Sequence, residues 1–313
     1  MEDIRIPNEA TYSPVSLLET GMVAPLVSRL LLRTTLPGLA VQAAALGLYT
    51  GSALVDWAAR AGVRRIDFAA ELGADLDRLP AMPDEKREQE IRVLVDRLNA
   101  LEAPEPPDRA ELARRVDREL TDRIAGFTGQ RVLTSTEVRG FSLAGLLFPF
   151  ALGAADVLSG DVALFRDTGV FEPHVLAHEF AHRKGYWKEL HAQLLAYLAL
   201  AGSDDPVQLR SALAERLLRQ LATLADGDVD ALRARIAAAG LRPDLERPFF
   251  ALRPAEDPLT RALSDALKAA YDLRMRLTGQ NGLSDYDAGF TAVLYSLETG
   301  ALRERVPAAG RIW

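Results

Sequence analysis

All four histidines in the 313 residues fall between Pro173 and Gln193: His174, His178, His182 and His191. Two of them frame the pattern His178-Glu179-Phe180-Ala181-His182. On an α-helix, residues four apart share a face, so the imidazoles of His178 and His182 can grip one ion. Glu179 lies one step round the helix. Its carboxylate is therefore expected beside a metal's open position and not on the metal. Such a set suits Zn²⁺ and metal-assisted hydrolysis, with Glu179 as general base to a metal-activated water. The motif fixes only three residues and also arises by chance in ordinary helices.

Its flanks are those of a short helix. Pro173 suits the first helical position, and Glu172 sits where the helix dipole favours an anion. Val175, Leu176, Phe180 and Ala181 supply an apolar face. Arg183 and Lys184 suit the negative end, and Gly185 is a natural stop. The helix thus ends just past His182, and the chain can turn to bring in a third ligand. Glu189 and His191 compete for that role at the start of a second apolar helix, Lys188 to about Leu200. Two residues apart on a helix they point about 200° apart, so both are not expected to bind. Glu189 is preferred, because Glu189-x-x-Ala192-Gln193 resembles the E-x-x-A-[ND] element that supplies the third ligand in many gluzincin-type metallopeptidases. His191 is the alternative third ligand. Gln193 stands where that element has Asp or Asn, and is expected to hydrogen-bond a ligand histidine. His174 either lines the cleft or merely starts the helix. Tyr286, and after it Tyr186, are the candidate donors to an oxyanion. The plainer reading of each tyrosine is an aromatic packed on the core.

The composition limits what these residues can be part of. A net charge of −7, with no arginine-rich patch interleaved with aromatics, argues against a nucleic-acid partner. With no cysteine, disulfides and thiolate metal sites are excluded, and any zinc rests on His and carboxylate. Apolar residues make up 49% of the chain, enough for a sizeable core. The start, Met1-Glu2-Asp3-Ile4, does not read as a secretory signal.

Stepping outward, residues 12–33 read as an amphipathic helix. Thr34 to Val55 is the longest uncharged run, long enough to span a bilayer. It is expected to be a single membrane anchor, and a buried core helix is the rival reading. Arg29 and Arg33 precede the run, and Arg60, Arg64 and Arg65 follow it. That slight excess places the C-terminal part in the cytoplasm, with a soluble cytoplasmic protein as the alternative. The division expected is 1–57 as an N-terminal helical region carrying the anchor at 34–55, and 58–313 as the catalytic domain.

Residues 76–84 and 102–108 are loops by their proline and charge. After each comes an amphipathic helix, the first burying Ile91, Leu94, Val95, Leu98 and Leu101. The second buries Leu112, Val116, Leu120 and Ile124 and stops at Gly126, and the charged faces of both read as solvated surface. Arg131–Thr136 and Asp161–Phe165 read as strands, the latter as the rim of the cleft to which an extended peptide adds. The apolar run Gly140–Gly153 reads as a wall of the core or groove. Asp205-Pro206 and Asp257-Pro258 read as N-caps followed by proline at N1, and Ser284–Asp287 as a capping box opening the last helix. The fold class expected is α+β and predominantly helical, with a small sheet and an active-site helix.

Pro149-Phe150, the helix Val175–His182 with Gly185, and Glu189-x-x-Ala192-Gln193-x-x-Ala196-Tyr197 together resemble the DUF3810 family. Tyr271-Asp272 and Gly282-Leu283-Ser284-Asp285-Tyr286 are similar to its closing motif, and Ser13-Pro14 and Glu19-Thr20-Gly21 to its opening. The family is bacterial, regarded as zinc metallopeptidases, and usually carries N-terminal membrane helices. The resemblance implies a zincin-like core holding Zn²⁺ through His178, His182 and Glu189, acting on a peptide or protein substrate. This chain departs from the family at His191 and Gln193, where the family has an acidic residue and Asn. The alternative is a non-hydrolytic zinc protein that binds peptide or serves as a scaffold, or a metal-dependent enzyme of another reaction class.

Overall fold

Apolar residues at helical spacing, closed by strong caps, build most of the molecule. The computed structural model describes residues 1–8, 17–76, 78–140, 152–155, 160–252 and 258–313. In chain order the elements are β1 (Glu2–Arg5), α1 (Leu17–Leu32), α2 (Leu36–Arg60), α3 (Phe68–Leu72), α4 (Asp84–Ala100), α5 (Arg109–Thr128), β2 (Gln130–Leu133), β3 (Arg139–Gly140), β4 (Gly153–Ala155), β5 (Val162–Leu164), α6 (Glu172–Arg183), α7 (Glu189–Leu200), α8 (Pro206–Ala225), α9 (Val229–Ala238), α10 (Pro243–Leu252), α11 (Pro258–Leu277) and α12 (Ala288–Thr299). The fold is α+β and predominantly helical, with two small sheets.

The centre is the stack α6, α7 and α8. Every residue of α7 except His191 is buried, as suits a helix that is apolar all round. Around the stack, α5 covers α6 and α7, while α4 and α12 cover α8. Caps set the boundaries. Asp108 accepts from the amides of Ala110 and Glu111, and Asp205 from that of Val207 with Pro206 following it. α5 does not stop at Gly126; it runs to Thr128 and closes on Gly129, whose φ of 68° is the left-handed turn that needs glycine. Nor are the charged faces all solvated. Arg87 and Glu90 of α4 are buried, Arg87 on Gln220 and Thr291, Glu90 on Arg216 of α8. The countercharge on α8 is what lets Glu90 go inside.

The last helix is not opened by a capping box. Ser284 and Asp285 lie in a 3₁₀ turn, Leu283–Asp285, and Asp285 accepts from Asn281 instead. Asp287 precedes α12 and pairs with Arg219 at 2.9 Å. The 141–151 part of the apolar run, Ser13-Pro14, Pro149-Phe150 and Asp257 lie outside the described residues.

One sheet pairs β1 with β2 in parallel, Glu2 opposite Gln130 through Arg5 opposite Leu133. Residues 2–6 thereby join the main body, and Ile6 enters its core. In the other sheet β5 is the middle strand, parallel to β3 and antiparallel to β4. The strand expected at the rim is therefore enclosed, as its three buried residues suit. β4 and β5 both lie against α6, β4 the more extensively.

Helices α1 and α2 pack on each other, with Ser28 donating to the Gly38 carbonyl at 2.9 Å. α2 is not a buried core helix: Leu36, Leu46, Leu54 and Trp57 are exposed. Among the described residues no helix is long and apolar enough to cross a membrane. Alanine, glycine and the polar Gln42, Thr50 and Ser52 keep the 34–55 run's hydropathy down.

Candidate metal centre

The helix that carries the motif is α6, and it is anchored at both ends. Glu172 in its first turn pairs with Arg109 at 2.7 Å. At the far end Arg183 and Lys184 are fully buried and do more than answer the helix dipole. The Arg183 guanidinium donates to the carbonyls of Gly160, Ser135 and Glu137, and Lys184 reaches the Val132 carbonyl and Asp117. These bonds fix α6 against α5 and the segments after β2 and before β5. Gly185, with φ of 103°, reverses the chain, and α7 begins four residues later at Glu189.

That turn brings three ligand-type atoms together. His178 Nε2 lies 3.1 Å from Glu189 Oε2, His182 Nε2 lies 3.1 Å from the same oxygen, and the two Nε2 atoms are 3.1 Å apart. All three residues are buried, and they form the metal-type cluster found among the described residues. Neighbouring ligands of a tetrahedral ion with bonds of about 2.0–2.1 Å stand about 3.3 Å apart, so the triangle is close to the size the ion needs. The nitrogen chemistry fits as well. His182 Nδ1 is 2.9 Å from the Tyr186 carbonyl, which makes Nδ1 a protonated nitrogen and leaves Nε2 as the one that can face a metal.

The electrostatics are those of a tight, buried group. Burial alone would push the Glu189 carboxyl up, but the two imidazoles hold it well below the ordinary carboxylate value. Burial alone would lower His182, but Glu189 brings it up to about 9. Glu179 is also buried, and desolvation pushes its carboxyl above the ordinary value against the pull of His178 and His182. Its carboxylate accepts from the Ala155 amide on β4.

Two tyrosines close the other side. Tyr271 of α11 donates to Glu189 Oε1 at 2.7 Å, leaving Oε2 to face the histidines. The Tyr286 ring stacks on His178 with centroids 5.9 Å apart, and its phenol lies beside Glu189 and Tyr271. Burial and the Glu189 charge hold that phenol well above its ordinary value, so it keeps its proton. The two tyrosines are held together because Asp272 accepts from the Leu283 amide at 2.8 Å. A Cβ on Gly282, where φ is 97°, would meet that carboxylate. Trp187 lies parallel to the His182 ring at 5.9 Å.

The other sequence candidates stand elsewhere. His191 points away from the cluster and packs on Phe68, with ring centroids 4.7 Å apart. Tyr186 turns its hydroxyl to the Arg64 carbonyl at 3.0 Å, so only its backbone serves the site. Gln193 does not reach a ligand histidine; its amide nitrogen donates to Glu215 at 2.6 Å. His174 lies behind the cluster next to Glu215 and Phe290 and does not line a cleft. Sequence reasoning alone does not reach Tyr271, Glu215 or the Ala155 amide. Tyr271 had a signal, its place beside Asp272 in the closing motif.

The profile of one family, Protein of unknown function (DUF3810), matches residues 86–294, about two thirds of the chain. The chain belongs to the DUF3810 family. In this DUF3810 protein the matched region holds the three clustered residues, Glu179 and both tyrosines. No curated protein and no solved structure matches the chain. The family description names no activity, so the chemistry rests on the site itself.

Proposed function

We propose that the protein is a zinc-dependent peptidase with a zincin-like core, hydrolysing amide bonds in peptides or proteins with Glu179 as general base. The observation that carries this is the 3.1 Å triangle of His178, His182 and Glu189 with an acid one residue along the same helix. Two imidazoles and a carboxylate form a three-ligand set of the kind that leaves a catalytic zinc one open position. When bound, Zn²⁺ supplies Lewis acidity and lowers the pKa of a water toward neutrality.

Within that frame Glu179 takes a proton from the attacking water and passes it to the departing amine. Desolvation makes the carboxylate a stronger base than one in water, and the Ala155 amide holds its orientation. Tyr286 retains its proton beside the cluster, so it can donate to the oxygen that gains charge as the amide carbonyl is attacked. β4, which carries the Ala155 amide, is an edge of its sheet among the described residues, and the reading has an extended peptide pair there.

The test is hydrolysis of a quenched-fluorescence peptide mixture by the purified chain, with and without a zinc chelator. Chelation should abolish activity and added Zn²⁺ restore it. Glu179→Gln should bind the metal normally and lose about 10²–10⁴-fold in rate. A Glu179→Gln protein that cleaves as fast as the parent would remove the general base and the reading with it.

A further inference from the structure

The tautomer of His182 is fixed by a carbonyl, whereas that of His178 is not fixed by any direct contact. His178 Nδ1 is buried and has no hydrogen-bond partner within reach. For Nε2 to offer a lone pair to a metal, Nδ1 must carry the proton, and a buried N–H without an acceptor is costly. With the proton on Nε2 instead, the ring would donate to Glu189 Oε2 and could not be a ligand. Something must favour the first arrangement over the second.

Behind His178 lies a group of buried polar atoms in the same condition. Neither nitrogen of His174, one turn earlier on α6, makes a close hydrogen bond, although the Gln193 side chain lies near enough to act on it, and Glu215 Oε2 on α8 has no partner. His174 Nε2 is 4.0 Å from Glu215 Oε1, a separation that suits one intervening water. Glu215 is itself held firmly. Its Oε1 accepts from Arg219 Nε and from Gln193 Nε2, each at 2.6 Å. Arg219 continues to Asp287, the residue after Tyr286. A fixed carboxylate on α8 and a neutral imidazole on α6 thus lie beside each other, one helical turn from the orphan nitrogen of His178.

We propose that His174 and Glu215 are positioning residues that set the metal-binding tautomer of His178, through a buried hydrogen-bonded path held by Gln193 and Arg219. The hydrogen-bond count closes. His178 Nδ1–H donates to one ordered water, and the water donates to Glu215 Oε2 and to the bare nitrogen of His174. The second nitrogen of His174 then donates to the amide oxygen of Gln193. A buried water with about three hydrogen bonds is the usual kind. Arg219 beside Glu215 disfavours a second cation there. The charge states agree with the scheme. Desolvation lowers His174 to about 4, which keeps it neutral. Burial raises Glu215, but Arg219 outweighs it and brings the carboxyl down to about 2.

The proposal rests on the metal reading above, and its test separates the two. Zinc affinity is measured by competition with a chromophoric chelator for the full chain, His174→Leu and Glu215→Gln. Alongside, ¹⁵N-histidine labelling reports the ring tautomers, which four histidines make tractable. Expected are a 10–100-fold weaker affinity in both variants and an Nδ1-protonated His178 in the zinc-bound parent. The proportion of that tautomer in the metal-free protein should fall in His174→Leu. Affinities within twofold of the parent, or a His178 tautomer unchanged in His174→Leu, overturn the relay and leave the metal centre standing. A parent chain that binds no zinc overturns the metal reading, and the relay with it. If Glu215→Gln does not fold, the tautomer measurement on the parent and His174→Leu still decides.

Discussion

Replacing Glu189 by alanine should strip the centre of its ion, while replacing His191 should not. The structure sets the size of the effect. Three protein atoms, His178 Nε2, His182 Nε2 and Glu189 Oε2, face one another at 3.1 Å. Zinc sites with four protein ligands are worth about 10–16 kcal/mol at neutral pH, so each ligand stands for about 2.5–4 kcal/mol. Removing one weakens zinc binding by about 10²–10³-fold. His191 packs on Phe68 at 4.7 Å and lies away from the cluster, so His191→Ala should bind zinc within about twofold of the parent. Metal content after gel filtration and chelator competition read both. A thermal scan gives a control for folding. Zinc at about 100 times its Kd should stabilise the parent by about 2.7 kcal/mol, which is about 5 °C in a chain of this size. That increment should vanish in Glu189→Ala and persist in His191→Ala. If Glu189→Ala keeps one tightly held zinc, or His191→Ala loses it, the ligand set drawn from the geometry is wrong.

Three further outcomes follow from other parts of the structure. Tyr271→Phe removes the bond that holds Glu189 Oε1 at 2.7 Å, and should weaken zinc binding by about 10-fold, read by the same competition. Arg216→Ala leaves Glu90 and Glu298 buried without their shared guanidinium, and should lower stability by about 3–5 kcal/mol in denaturant titration; a loss under 1 kcal/mol would contradict the network. Glu215 titrates lower in the folded chain, at about 2, than its ordinary value of 4.5, so it contributes stability that is complete above pH 4.5 and is lost as pH falls toward 2. Glu215→Gln should therefore flatten the acid limb of a Tm-against-pH curve between those values, and an unchanged limb would show that the carboxylate is not held as described.

How much of this was legible in the sequence depends on how local each determinant is. The helix α6, its stop at Gly185 and the start of α7 follow from proline, glycine and apolar spacing within about twenty residues, and the structure has them where the pattern puts them. The end of α5 is ambiguous in the sequence because two glycines lie three residues apart. Only the chain reversal distinguishes Gly129, at φ 68°, from Gly126 inside the helix. From sequence β5 reads as a rim because a three-residue apolar strand looks the same at an edge or in the middle. Its two neighbours, β3 and β4, decide the matter and are themselves too short to read. Glu90 reads as surface from sequence because its countercharge, Arg216, is on a helix more than a hundred residues away.

The same locality divides the site. His178, His182 and Glu189 span twelve residues, so one helix period and one turn suffice to predict that they meet. The groups that give the cluster its chemistry come from far along the chain: Ala155 from β4, Glu215 from α8, Tyr271 from α11 and Tyr286 from the turn before α12. Each reaches the centre only because the core formed by α6, α7 and α8 is already packed. The geometry of the His178, His182 and Glu189 cluster is thus a local property of this sequence, whereas the surroundings of its imidazoles, the orientation of its carboxylates and the proton held by Tyr286 are properties of the assembled fold. A variant that loosens α8 or α11 without touching the three ligands should accordingly leave the motif intact and still weaken the centre, which is why Glu215 and Tyr271 are more informative positions than a second histidine knockout.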